Sequence, residues 1–315
     1  MVNKFNHNVV IVIVNYRTGK LVVNCLESLK TILNQSVKAV VVDNCSGDNS
    51  IELIGNWISN NKNVQLICSE NNSGFSGGNN LAIESVKKMG FNADFIWLLN
   101  PDTVVRENAL QHLLTFMQQN PQVGITGSRL EDIDGKAQCS AFRFHSVLSE
   151  LDDGLKLGII SKLLQKWQVA LPISDVPVCV DWLAGASMLI RRQVFEDIGL
   201  FDDEYFLYFE ETDFCLQAKN AGWPCWYVPA SRIVHFVGSS TGVTDGSKKR
   251  RPRYWFESRQ RYFLKNHGRL YLFLANLVWA VAYSLFRIRQ KIQNKPDNET
   301  EFLLRDFVNF NFFNK

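Results

Sequence analysis

The sequence predicts an α/β protein, a mostly parallel sheet flanked by helices, followed by a C-terminal helical appendage. Two observations carry this. Short β-branched or aromatic runs alternate with segments of helical period through the first half of the chain, with short links between them. Each run also ends in polar residues, and open α/β sheets bind ligands beyond the carboxyl ends of their strands.

Residues 9–14 (VVIVIV) read as a buried parallel strand. Residues 18–33 carry Leu21, Val22, Cys25, Leu26 and Leu29 at helical spacing. Residues 39–43 form a second strand ending in Asp43, 50–59 a helix, and 64–68 a third strand. The glycine- and asparagine-rich stretch 71–80 reads as a loop leading into a helix over 80–89, and 95–99 is a fourth strand. Asn15, Asp43-Asn44, Glu70-Asn71-Asn72 and Asn100-Pro101-Asp102 each follow a strand, so four polar tips share one edge and build one site. Residues 123–144 read as strands and turns, with a hairpin at Asp134-Gly135. Residues 145–173 fit a helical insertion covering the site, and 178–191 mix apolar and small residues around Leu183-Ala184-Gly185-Ala186. A helix over 211–220 ends near Gly222, and 226–229 and 233–235 read as two short strands. The tail begins with a mobile basic loop over 241–253, including Lys248-Lys249-Arg250-Arg251. It continues as an apolar, aromatic segment, 270–286, which Asn276 interrupts and basic residues flank.

The chain has 315 residues, 46% of them hydrophobic, enough for one large domain or one domain plus an appendage. A net charge of +3 is too balanced to imply nucleic-acid binding. The seven cysteines form no C-x-x-C pair, which points to a reduced, cytosolic setting, and residues 9–14 are too short for the core of a cleaved signal.

Two acidic signals carry the chemistry. Asp102 follows an almost wholly apolar strand, a position that suits a hard divalent cation, although Pro-Asp-Thr also makes a good turn. Glu210, Glu211 and Asp213 sit beside Phe206, Tyr208 and Phe209. A partly buried carboxylate has its pKa raised toward a general base's working range, whereas a solvated helix N-terminus explains the same acids without function. Asp43 fits either a cap or an acceptor for the imide N–H of uracil or thymine. The glycines of 71–80 permit close approach of a phosphate, but neither G-x-G-x-x-G nor G-K-[ST] is present, which disfavours a nicotinamide dinucleotide fold and a P-loop. His235 is a core histidine or, beside a metal, a nitrogen ligand. Together the acids suggest metal-assisted group transfer from a phosphorylated donor.

In this order the motifs resemble the family 2 glycosyltransferases with the GT-A (Rossmann-like) fold, rhamnosyltransferase-like members above all. The resemblance runs from about residue 9 to 235. It is carried by Val14-Asn15-Tyr16, Val42-Asp43-Asn44-Cys45-Ser46, Asn72-Ser73-Gly74-Phe75, Gly78-Asn79-Asn80, Leu99-Asn100-Pro101-Asp102-Thr103, Trp182 to Ala186, Glu210-Glu211-Thr212-Asp213 and His235. It implies a GT-A domain over 1–240, with a nucleotide-binding half over about 1–103 and an acceptor half over about 104–240; the basic loop and helical region fill 241–315. It implies donor contacts from Asn15, Tyr16, Arg17, Asp43, Asn44, Gly74, Asn79, Asn100 and Asp102. Acceptor contacts fall to Trp182, Gly185, Ala186 and Asp213, and Mg²⁺ or Mn²⁺ to Asp102 and His235. Glu211 is the implied base, with Glu210 positioning it.

Two departures stand out: Asn100 replaces the first Asp of the usual D-x-D-like motif, and Glu211 stands where the family has Asp. The implied activity is inverting transfer of a sugar, L-rhamnose from dTDP-rhamnose, to a lipid-linked saccharide in bacterial cell-surface polysaccharide synthesis. A UDP-hexose-dependent transferase and a non-catalytic sugar-nucleotide-binding component are the alternatives. The setting is cytoplasmic, peripheral at the inner face of the membrane. Residues 270–286 bind the membrane surface, pack on the core or form a homodimer contact.

Overall fold

The computed structural model describes residues 7–88, 90–236 and 249–313. Its first half runs β1 (Val9–Asn15), α1 (Gly19–Leu29), β2 (Val37–Asp43), α2 (Ser50–Ile58), β3 (Val64–Cys68), α3 (Gly74–Lys88), β4 (Phe95–Leu99), β5 (Thr103–Val105), α4 (Ala109–Gln119) and β6 (Ile125–Glu131). Then follow β7 (Ala141–Phe142), α5 (Val147–Leu155), α6 (Gly158–Leu163), β8 (Val178–Val180), β9 (Trp182–Leu183), β10 (Ser187–Arg191), α7 (Arg192–Ile198), α8 (Glu210–Asn220), β11 (Cys225–His235), α9 (Arg253–Ile292) and α10 (Leu303–Val308).

The main sheet has the order β3-β2-β1-β4-β10-β6-β11-β5, with β8 added on β11. β1 to β4 are parallel neighbours, and β10 enters antiparallel beside β4. The register pairs Asn15 with Asp43 and Ile13 with Leu99, so the tips of β1, β2 and β4 share one edge. The uninterrupted β-branched runs follow from two covered faces. Ile11, Ile13, Val41 and Trp97 pack with Leu26, Ile54 and Leu113 on one face. Val12, Val42 and Leu98 pack with Ile83, Phe195 and Phe214 on the other.

Several sequence expectations change. The first helix stops at Leu29, not 33. α3 begins at Gly74, not 80, so the glycine-rich stretch forms helical turns and not a loop. Its glycines serve packing. Gly74 has φ +71°, and a Cβ there would lie 2.0 Å from the Phe206 carbonyl oxygen; one on Gly78 would lie 2.7 Å from Val14. The two short strands expected at 226–235 are one strand, β11, whose register shifts between Val228 and Arg232. Pro229 lies in that bulge, where the N–H it lacks is not needed.

Helices α5 and α6 occupy the 145–173 insertion, and α5 packs on α9 so closely that a Cβ on Gly154 would meet Ala282 at 2.8 Å. α9 is two helices joined at Gly268, whose φ of 82° breaks the helical path. Asn276 faces inward and accepts from Arg259 Nη1 at 2.5 Å, while Arg259 Nη2 donates to Glu150 at 2.6 Å. The opposite face of α9 exposes Leu270, Phe273, Leu277, Val281, Leu285, Ile288 and Ile292, a stripe at helical spacing.

Of the expected mobile basic loop, residues 241–248 lie outside the described residues. Arg250 is held by Asp306 at 2.5 and 2.9 Å, and Arg251 lies over the Trp255 ring at 4.0 Å. These two arginines are therefore fixed to the C-terminal helices, which corrects the reading of a free loop. The seven cysteines are free thiols.

Candidate active site

The shared strand edge is held by side-chain bonds between its tips. Asn15 Nδ2 donates to Asp43 Oδ1 at 2.6 Å and to Ser46 Oγ at 3.0 Å. Ser46 donates to Asp43 through Oγ at 2.6 Å and through its backbone N–H at 3.0 Å. A carboxylate offers about four lone-pair sites, so one remains for a base-edge N–H. Arg17 Nε donates to the Ser46 carbonyl at 3.0 Å, and its guanidinium lies 5.1 Å from the exposed Tyr16 ring, an aromatic surface at the rim. Asn44 fastens the turn before α3: Nδ2 donates to Asn72 Oδ1 at 2.9 Å and to the Gly74 carbonyl at 2.8 Å, and Oδ1 accepts from Ser73 N at 3.2 Å. Asn79 is buried and donates to the Phe75 carbonyl at 2.8 Å, so it braces α3 from inside. Ser46 and Phe75 were quoted among the motifs without a role; their parts depend on contacts between distant segments.

Asp102 is buried where β4 gives way to β5, and pairing of Thr103 with His235 brings the end of β11 beside it. His235 Nε2 lies 3.5 Å from Asp102 Oδ1, and His235 Nδ1 is buried with no hydrogen-bond partner. Among the described residues no group of three His, Cys, Asp or Glu converges as a metal cage. An oxygen and a nitrogen in reach of each other still fit a hard cation that keeps substrate phosphate oxygens and water as its other ligands. Asn100 braces the same turn, donating its N–H to the Ala186 carbonyl at 3.2 Å and accepting from Thr103 Oγ1 at 2.7 Å.

The acidic segment reaches this edge through the turn before α3. Phe75 N donates to the Phe206 carbonyl at 2.8 Å. Tyr208 and Phe209 both take left-handed φ values, 72° and 67°. Such conformations cost non-glycine residues roughly 1–2 kcal/mol each and cluster at functional sites. They turn the chain into α8 so that Glu210 and Glu211 lie in its first turn. Glu210 is buried and Glu211 half-buried, with Oε2 of each lacking a partner. Burial and the neighbouring Glu211 charge push the Glu210 carboxyl well above the ordinary range. Burial also raises Glu211, against hydrogen bonds to its carboxylate from its own backbone, Glu210 and Gly185. Glu210 therefore keeps its proton longer and donates it toward Glu211. A Cβ on Gly185 would lie 3.2 Å from Phe75 and 3.7 Å from Glu211 Oε1, so this glycine leaves room at the base.

Of the acceptor candidates, Trp182 is half-buried, stacks on Phe142 at 4.1 Å and donates Nε1 to the Arg143 carbonyl at 2.8 Å. Ala186 is buried in the core. Asp213 is turned away: its oxygens accept from Lys265 Nζ and Asn266 Nδ2, both at 2.7 Å, so it fastens α8 to α9 instead of meeting acceptor. His145, which sequence reasoning left unassigned, is packed against Phe209 with ring centroids 5.0 Å apart; burial, then Arg259, push its pKa down to about 3 and keep it neutral.

A parallel α/β edge carrying Asp43 and Asp102, faced by a buried acid pair on a helix N-terminus, defines the GT-A class of glycosyltransferase. The chain belongs to the family described as Glycosyltransferase like family 2, which matches residues 7–261. Among curated relatives, an N-acetylglucosaminyl-diphospho-decaprenol L-rhamnosyltransferase of Mycobacterium tuberculosis is 27% identical over 84% of this chain and 83% of its own length. The rhamnosyltransferase WbbL of Escherichia coli is 31% identical over 52% of this chain and 61% of its own. The dTDP-rhamnosyl transferase RfbF of Shigella flexneri is 23% identical over 89% and 88%. Among solved structures, GalNAc-T7 with UDP, GalNAc and Mn²⁺ aligns with TM-score 0.56 and 15% identity over 97% of this chain, which spans about half (54%) of that one. A mannosyltransferase from Pyrobaculum calidifontis with GDP-Man and Mn²⁺ aligns with TM-score 0.53 and 12% identity over 97% and 86%. These structural likenesses concern the fold.

Proposed function

We propose that this chain is an inverting, metal-dependent glycosyltransferase that moves L-rhamnose from dTDP-rhamnose onto a lipid-linked saccharide during bacterial cell-surface polysaccharide synthesis. The rhamnosyltransferase relatives support the donor, and the decaprenol-linked substrate in one relative's name supports the acceptor class. The observation that carries the chemistry is the unequal acid pair, Glu211 half-open beside Gly185 and Glu210 buried behind it.

Glu211 accepts the proton of the acceptor hydroxyl. The hydroxyl oxygen bonds the anomeric carbon as the bond to the diphosphate oxygen breaks, and attack from the face opposite the leaving group inverts the centre. Glu210, protonated, holds Glu211 through a hydrogen bond. Asn15, Asp43, Tyr16, Arg17 and Asn44 form the nucleotide end, with Asp43 accepting from the imide of the base. Mg²⁺ or Mn²⁺, held by Asp102 and His235 with donor phosphate oxygens, supplies Lewis-acid stabilisation of the departing diphosphate. Trp182 and Gly185 border the acceptor.

The exposed stripe of α9, with Arg269, Arg287 and Lys291 beside it, suits an interfacial helix on anionic lipid and a peripheral position at the cytoplasmic face. A panel of dTDP-rhamnose, UDP-hexoses and GDP-mannose, scored by nucleoside diphosphate release, tests the reading. Release from dTDP-rhamnose above all others is expected. Preference for a UDP-hexose overturns the donor, and binding without turnover of any donor overturns catalysis.

A further inference from the structure

Behind the acid pair the fold leaves a pocket of about 640 Å³ between α5, the two halves of α9 and the segment before α10. That volume lies within the ~300–1,000 Å³ typical of small-molecule sites. Its wall is continuous with the catalytic turn. Phe209, the residue before Glu210, lines it together with His145, whose ring centroid lies 6.2 Å from that of Trp182 on the other side.

Two lining residues hold polar atoms without partners. Arg251 Nε is buried and unbonded, with its guanidinium stacked on Trp255; Asp152 Oδ1 is also buried and unbonded. A buried polar atom left unsatisfied costs about 1–3 kcal/mol, so one donor and one acceptor facing one cavity await a ligand that brings both functions. The other charges are accounted for internally. Arg259 holds Glu150 at 2.6 Å, Lys156 holds Glu299 at 2.6 Å, and Asp153 accepts from Trp279 Nε1 at 2.8 Å. What remains is one guanidinium against Asp152 and Asp153, a balance that disfavours a phosphate. Trp279 and Tyr283, stacked at 4.7 Å, add aromatic lining. Aromatic rings, a carboxylate and a guanidinium together match a neutral saccharide, whose C–H faces are apolar and whose hydroxyls both donate and accept.

We infer that this pocket binds a neutral sugar unit of the acceptor, set back from the hydroxyl that reacts at Glu211, with Arg251 donating to it and Asp152 accepting from it. The identity of the ligand as acceptor rests on the transferase reading; the saccharide site itself does not. The pocket would then select acceptors by a residue that takes no part in bond formation.

Saturation-transfer NMR on the full chain tests it, with free N-acetylglucosamine, glucose, galactose, rhamnose and their disaccharides as probes and inorganic phosphate as the competitor. At least one sugar should receive saturation from the wild type. Its signal should fall about fivefold or more in Arg251→Met and in Asp152→Ala, as expected for loss of a hydrogen bond to a charged group, and phosphate should not compete. The side-chain atoms at issue are unbonded, so both variants should fold, which thermal melts check. No signal from any sugar, full signal in both folded variants, or displacement by phosphate would overturn the site. Donor turnover is followed in parallel: in the variants the acceptor KM should rise while acceptor-independent donor hydrolysis holds. A wild type that turns over no donor sinks the transferase reading and leaves the NMR result to decide the pocket.

Discussion

Lys265 Nζ lies 2.7 Å from Asp213 Oδ2 and 2.7 Å from Asp202 Oδ2, so a single amine on α9 ties the catalytic helix to the loop that leads toward it. Burial opposes the charge on Lys265, but its bonds to the two aspartates outweigh that and raise its pKa. The C-terminal helices are thus part of the acid pair's support.

Replacing Lys265 with Met leaves the buried Asp213 carboxylate one donor short. Stability should fall by about 1–3 kcal/mol, the range for a lost hydrogen bond to a charged group. Turnover should fall while donor affinity holds, because the donor edge lies on β1 and β2. Urea unfolding and donor titration of Lys265→Met check this, and an unchanged unfolding midpoint contradicts it.

Asp102 and His235 are expected to carry the metal. EDTA should abolish turnover of the wild type, and added Mn²⁺ or Mg²⁺ should restore it. Asp102→Ala should stay inactive at any metal concentration, and Mn²⁺ titrated by electron paramagnetic resonance should bind it more weakly than the wild type. Full turnover in chelator would remove the metal from the account.

The apolar stripe of α9 gives a membrane prediction. Leu277, Val281 and Leu285 are exposed, so changing all three to Glu should leave the fold intact. The wild type should float with vesicles containing anionic lipid, and the triple variant should not. Equal flotation of both would reject this face as the contact.

The strand tips were legible because each apolar run ends abruptly in Asn or Asp and because parallel register aligns those ends. Asp102, His235 and Glu211 were legible through family motifs. The start of α3 was not, since Gly74 and Gly78 look like loop residues until Phe206 and Val14 are seen against them. Asn276 looked like a break in an apolar run; it is the inward partner of Arg259, a pairing that links the two halves of α9 across the turn at Gly268. Asp213 looked like part of a catalytic triplet and instead binds α9, which no local pattern around residue 213 reveals.

The acid pair predicts opposite trends of activity and stability with pH. Burial raises Glu211, so the base forms only as pH rises past its elevated pKa, and the acid limb of kcat/KM should lie above the ~4.3 of an ordinary glutamate. For stability the sign reverses. Carboxyls raised in the fold contribute stability that is present below their unfolded pKa and is lost as pH rises through the folded values. Turnover should climb while the melting temperature declines over the same window, and Glu210→Gln should flatten the decline without removing the acid limb. A pH–rate profile paired with thermal melts checks both; a melting temperature that rises over this window would contradict the assignment.

The most direct test of Glu211 as base is turnover of Glu211→Gln, Glu211→Asp and Glu210→Gln, with donor binding measured by calorimetry on each. Glu211→Gln should bind donor normally and lose roughly 10²-fold or more in turnover, the loss expected for a general base. Glu211→Asp should keep part of the activity, and Glu210→Gln should lose less than Glu211→Gln. Near-normal turnover in Glu211→Gln with collapse in Glu210→Gln would contradict the account and make Glu210 the base.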